Sequence, residues 1–124
     1  MSYFKSLLKL VVHMKFTNPY WSNKLKIEAL QRWVIVESII YYELNESLVS
    51  DKEFDENSYQ LVNLQNSFQN EAKESYYWYM FYDFDASTGF HLYDRLNAHD
   101  KDYLLSIAQH VLKLHKGEKN EKKK

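Results

Sequence analysis

Tyr41, Tyr42, Asp51, Phe54 and Asp55 are the residues of this 124-residue chain whose types and spacing point toward a ligand. Asp51 and Asp55 lie four apart, so on a helix they project from one face. Phe54 adjoins that face. Tyr41 and Tyr42 close the apolar run that precedes it. In an antiparallel helical hairpin the end of the first helix and the start of the second are neighbours. Two aromatics and two carboxylates then converge at one end of the hairpin. That convergence suits a flat, hydroxyl-bearing, partly cationic ligand. Carboxylates accept hydrogen bonds from ribose hydroxyls, and aromatic faces attract a heteroaromatic cation. A capped helix start with tyrosines packed into the hairpin accounts for the same residues.

The elements that would position these side chains follow from periodicity. Ser22 is a cap for a helix over about 23–44. Its apolar positions Leu25, Ile27, Leu30, Trp33, Val34, Val36, Ile39, Ile40 and Leu44 recur at three- and four-residue steps. So broad an apolar face marks a central helix. Asn45 to Ser50 is the connection. Ser50-Asp51-Lys52-Glu53 has the form of a capping box, with the serine hydroxyl on the third helical amide and the glutamate reaching back to the serine amide. Asp51 suits the helix dipole there. The following helix is expected over about 51–65, with residues 66–74 a loop or its extension. Tyr76 to Phe84 has strong β propensity but no alternation, and is expected to be helical or irregular core. Ser87-Thr88-Gly89 is expected to start a short helix through about Leu96. Asp100 is expected to cap a last helix near 101–116, with Leu104, Leu105, Ile107, Ala108, Val111, Leu112 and Leu114 buried and Gly117 as its C-cap.

Composition agrees with this list of helices. Two glycines and one proline are too few for the turns of a sheet protein. The expected fold is mostly α: a small single-domain helical bundle built around an antiparallel helical hairpin, the hairpin covering about 23–65. The domain is expected over 14–117, with a disordered charged tail over 118–124. Met14 offers a second start, in which case residues 1–13 are a leader outside the native fold. That leader is too short to span a bilayer and lacks the cleavage site of a signal peptide. No membrane association is expected.

The absence of cysteine excludes disulfides, zinc-thiolate sites and a cysteine nucleophile. It suits the cytoplasm. Histidines 13, 91, 99, 110 and 115 lack metal-ligand spacing. Asp83, Asp85 and Asp94 surround Ser87 and Thr88. An acid/base pair can be drawn there, but turn and capping roles explain the same residues.

One run carries a resemblance. From Leu30 to Leu64, about a quarter to a third of the chain, the order of Tyr41-Tyr42, Asp51, Phe54, Asp55 and a leucine-bearing helix resembles the N-terminal helical domain of bacterial NAD-dependent DNA ligases. In that family the domain binds the nicotinamide mononucleotide half of NAD during adenylation of the enzyme. The resemblance implies that Tyr41 and Tyr42 stand for the family's tyrosine and the aromatic after it. It implies that Asp51 and Asp55 stand for its two aspartates. Phe54 replaces a tyrosine, which keeps a ring and loses a hydroxyl, and Ser47 replaces the usual loop proline. The lysine-x-Asp-Gly adenylation motif is absent, and the chain has no Asp-Gly pair. The resemblance therefore implies a non-catalytic, ligase-related module that binds NAD or nicotinamide mononucleotide and requires no cofactor. The chain also looks like the small ligase-related proteins carried by phages and prophages of Gram-positive bacteria.

Charge distribution points to a second function. From Glu43 to Asp102 the chain has thirteen acids and four bases, a net of −9, between two basic ends. Such a middle argues against direct nucleic-acid binding. Together with eleven tyrosines, a residue type enriched at interface hot spots, it suits a host or phage protein partner. A phage counter-defence factor of anti-CRISPR or anti-restriction type, blocking a host nuclease, is the alternative expectation.

Overall fold

The computed structural model describes residues 20–123. The leader over 1–13, the Met14 start and Lys124 lie outside the described residues. Ser22 has extended backbone, and its hydroxyl accepts from the Leu25 amide at 3.1 Å, which starts α1, Asn23–Ser38. The helix continues into one π-helical turn, Ile39–Glu43. Next come α2, Asp51–Ser67, and, after a break at Phe68, α3, Gln69–Glu74. The remaining helices are α4, Trp78–Phe81, α5, Leu92–Arg95, and α6, Ala98–Lys123. No strand occurs among the described residues, so the fold is mostly α.

Helix α1 is the centre. It packs against α2, α3, α5 and α6, and every residue from Trp33 to Ile40 is buried. A helix apolar on all sides must be enclosed on all sides. Ile27, Leu30, Val34, Ile35, Ile39 and Ile40 have no exposed surface. Each such side chain contributes about 1.5–3 kcal/mol relative to exposure. Leu25 departs from the expected face and is 44% exposed. It lies across the helix from Ile27, and packing closes all round only from Trp33 onward.

Two side-chain pairs fix how α1 meets α2. Asn57 Nδ2 donates to Glu37 Oε1 at 2.9 Å, and Gln31 Nε2 donates to Gln65 Oε1 at 3.0 Å. Earlier residues of one helix thus meet later residues of the other, and the two run antiparallel. Gln31 Nε2 also donates to Ser75 Oγ at 2.9 Å, and Gln65 Nε2 to the Phe81 carbonyl at 3.3 Å. This buried amide chain ties α1 and α2 to Ser75, between α3 and α4, and to the end of α4. Residues 76–84, expected to be helical or irregular, form the single short helix α4 and turns around it.

Three expected boundaries move. Asn97, not Asp100, caps α6: its Oδ1 accepts from the Asp100 amide at 2.8 Å. The helix therefore starts at Ala98, and Asp100 becomes a buried first-turn residue. Gly117 does not end that helix. The chain stays helical through it to Lys123, so most of the stretch expected as a disordered tail has helical backbone. Within α6, Leu114 faces outward and His115 is buried in its stead. Ser87, Thr88 and Gly89 do not start a helix, because the side chains of Asp85 and Thr88 turn the chain instead. Asp85 Oδ1 accepts from the Ser87 amide at 2.9 Å, and Thr88 Oγ1 from the Phe90 amide at 3.1 Å.

Candidate functional site

The five residues singled out by type and spacing all line one cleft of about 300 Å³. Three features bring them there. First, Ser50 starts α2 as expected: its Oγ accepts from the Glu53 amide at 3.1 Å. The other half of the capping box differs. Glu53 Oε1 accepts from the Ser50 hydroxyl at 3.2 Å rather than from the serine amide. Asp51 and Asp55 then project from the first turns of α2, both exposed, with Phe54 half-buried between them.

Second, the π turn sets the tyrosines. In an α-helix residues four apart share a face, which pairs Glu37 with Tyr41. A π turn bonds residues five apart, here the Leu44 amide to the Ile39 carbonyl at 3.0 Å. The wider turn brings Tyr42 round to the side that carries Glu37 and Tyr41, and all three line the cleft. The tyrosine rings meet edge to face with centroids 4.9 Å apart. Asn45, in the left-handed region at φ 55°, closes the helix, and the Glu46 amide bonds back to the Ile40 carbonyl at 3.0 Å. Asparagine tolerates that conformation better than most residues. Ser47 Oγ then donates to the Val49 carbonyl at 2.8 Å and holds the connection against the cleft.

Third, a distant loop supplies a wall. Ser87 and Thr88 line the cleft, and Thr88 Oγ1 lies 3.3 Å from the Tyr42 hydroxyl. Phe90 packs edge to face on Tyr42 at 5.4 Å. Gly89 is what lets this loop come so near. A Cβ at that position would stand 2.4 Å from Ser38 Oγ and 2.8 Å from Phe54 Cζ.

Glu37 is the residue that the spacing of motifs did not single out. It is only 3% exposed, against the exposed Asp51 and Asp55. A carboxylate inside the apolar stretch from Trp33 to Ile40 was the available signal. Among the described residues lining the cleft there are three carboxylates, three aromatic rings and no lysine, arginine or histidine. The arrangement can stack a ring, accept hydrogen bonds from hydroxyls and favour positive charge.

Asp83, Asp85 and Asp100 are engaged structurally. Asp83 forms a forked pair with Arg95, with the second bond at 2.9 Å, and Asp85 holds the Ser87 turn. The Arg95 guanidinium keeps the Asp83 carboxyl below the usual carboxylate range. Asp100 accepts from the hydroxyls of Tyr76 and Tyr79 at 3.0 and 2.7 Å, and His99 Nδ1 stands 3.3 Å away. Burial works to raise the Asp100 pKa, but the bonds from Tyr79, His99 and Tyr76 outweigh it and hold the carboxyl below its ordinary value. Burial first, and then the nearby Asp100, push the Tyr79 hydroxyl up to about 12. Among the described residues no group of three histidines, aspartates or glutamates is arranged to hold a metal ion. No described helix is long and apolar enough to cross a membrane. No family model, curated protein or solved structure matches the chain.

Proposed function

We propose that the cleft binds nicotinamide mononucleotide, free or as one half of NAD, in a chain related to the N-terminal domain of NAD-dependent DNA ligases. The observation that carries the proposal is the meeting of Tyr41, Tyr42, Asp51, Phe54 and Asp55 in one cleft. These are the positions that the ligase resemblance assigns to the ligand. The pyridinium ring stacks among Tyr41, Tyr42 and Phe54, and the ribose hydroxyls donate to Asp51 and Asp55. Small-molecule pockets span about 300–1,000 Å³. A cleft of about 300 Å³ thus suits a mononucleotide better than a whole dinucleotide. The protein holds this ligand without transforming it, since the sequence has no adenylation motif. Isothermal titration with nicotinamide mononucleotide tests the proposal. Saturable binding is expected in the wild type, with affinity lost in Asp51→Ala/Asp55→Ala. Equal affinity in the double variant would remove the carboxylates from the ligand's contacts.

A second proposal rests on the outer surface. Tyr59, Tyr76 and Tyr82, in the acidic middle of the chain, and Tyr103, just beyond it, are each more than half exposed. Tyrosines at this density suit a protein partner. We propose a host nuclease or CRISPR effector, blocked by a phage-encoded chain in the bacterial cytoplasm. Pull-down from a host lysate at low and high salt tests it. A nuclease retained at low salt and lost at high salt is expected for an electrostatic contact. A lysate yielding no nuclease would count against it.

A further inference from the structure

We infer that the cleft recognises the nucleoside alone: it takes nicotinamide riboside, and the phosphate of the nucleotide stays outside in water and adds nothing to binding. This rests on the assignment of the cleft to a nicotinamide nucleotide and names the part of that ligand which the protein reads.

The lining residues decide this by what they lack and by what they have already used. Proteins hold a phosphate with the charged donors of arginine and lysine, or with the amides at a helix N-terminus. Among the described residues that line the cleft there is no lysine, arginine or histidine. The nearest base in sequence, Lys52, is exposed and follows Asp51 without lining the cleft itself. A helix N-terminus is present, that of α2, but the chain meets it with its own groups. Ser50 Oγ accepts from the Glu53 amide at 3.1 Å, and the Ser50 carbonyl from the Phe54 amide at 3.0 Å. Asp51 and Glu53 put two carboxylates on the same turn, and these answer the helix dipole that would otherwise draw a ligand's phosphate.

Hydroxyls are the remaining donors. Ser47 gives its proton to the Val49 carbonyl at 2.8 Å, and the hydroxyls of Tyr42 and Thr88, 3.3 Å apart, bond to each other. A phosphate drawn into the cleft would lie against Asp51 and Asp55, which are exposed. Exposed aspartates are negative at neutral pH, and like charges repel. The rest of the ligand meets the opposite surroundings. Carboxylates accept from its ribose hydroxyls, and Tyr41, Tyr42 and Phe54 offer rings to its base. Size agrees, because a cleft of about 300 Å³ is at the small end of ligand pockets, and the nucleoside is the smaller ligand.

Isothermal titration of the wild type with nicotinamide riboside, nicotinamide mononucleotide and ribose 5-phosphate, each at low and at high salt, tests the inference. The riboside is expected to match the nucleotide within about twofold or to exceed it, by up to about tenfold at low salt, where repulsion is least screened. Ribose 5-phosphate is expected not to compete with the riboside. A nucleotide bound more than about twofold more tightly than the riboside, or one that loses ground to it as salt rises, would overturn the inference and leave the nucleotide assignment standing. Competition by ribose 5-phosphate would overturn it too, since the cleft would then hold a phosphate. Binding of the riboside without the nucleotide would uphold the inference and narrow the assignment to the nucleoside. Binding of neither nicotinamide compound would end both.

Discussion

Gly89 and Phe54 touch so closely that a methyl group on Gly89 would stand 2.8 Å from Phe54 Cζ, and 2.4 Å from Ser38 Oγ on its other side. Ser38 is buried and its hydroxyl donates to the Val34 carbonyl at 2.8 Å. It has no room to withdraw. The loop that walls the cleft is thereby pinned to both helices of the hairpin. Gly89→Ala is expected to lower stability by about 1–3 kcal/mol, as overpacking does. It should also move Ser87 and Thr88 away from Tyr42. Chemical denaturation and the Thr88 amide resonance report the two effects. An unchanged Thr88 resonance would show that the wall does not depend on this contact.

The Gln31–Gln65–Ser75 chain is the internal staple of the bundle. Gln31→Ala removes the donor to both partners: Ser75 Oγ keeps its bond to the Ala72 carbonyl, and Gln65 Oε1 is left to find another donor in a buried site. An orphaned buried polar group costs about 1–3 kcal/mol, and the lost side chain leaves a cavity besides. The variant is expected to lose about 2–4 kcal/mol in denaturant unfolding. A loss under about 1 kcal/mol would mean that the network contributes only specificity.

The Asp100 cluster makes stability depend on pH at both extremes. The Asp100 carboxyl is held below its ordinary value in the fold. Its contribution is complete above the unfolded value of about 4 and is lost as pH falls through the folded value. The Tyr79 hydroxyl is pushed up to about 12. Its contribution is complete below the unfolded value of about 10 and is lost as pH rises toward 12. Tyr79→Phe is expected to flatten the alkaline limb, and Asp100→Asn the acid limb, in unfolding curves recorded against pH. Unchanged limbs would place the pH dependence elsewhere.

Helix α2 depends on Ser50 for its start, and so does the placement of Asp51 and Asp55. Ser50→Ala removes the acceptor for the Glu53 amide. It is expected to cost about 1 kcal/mol and to fray the first turn, which carries Asp51. Faster amide exchange over residues 51–54 checks it, and protection equal to the wild type would contradict it.

The convergence of Tyr41, Tyr42, Asp51, Phe54 and Asp55 was legible because it depends on local rules: a cap, a four-residue spacing and a hairpin. The π turn left no mark, since Ile39 to Glu43 holds neither glycine nor proline and its apolar pattern fits an α-helix equally well. Glu37 appeared as a charged residue in a long apolar run, and its bond from Asn57, twenty residues on, is a tertiary contact that the run does not announce. The Ser87–Thr88 wall is a tertiary fact, set by Gly89 meeting Ser38 and Phe54 across the bundle. Asn97 and Asp100 are both competent caps, and the tyrosines that draw Asp100 inward decide between them. The helix continues through Gly117 because glycine permits a C-cap without imposing one.

Amide and side-chain NMR during titration of the wild type with nicotinamide mononucleotide tests the central claim most directly. Saturable shifts confined to Tyr41, Tyr42, Asp51, Phe54, Asp55 and Thr88, absent in Asp51→Ala/Asp55→Ala, are the expected result. Spectra that do not change, or shifts that map to another face and persist in the double variant, would contradict it.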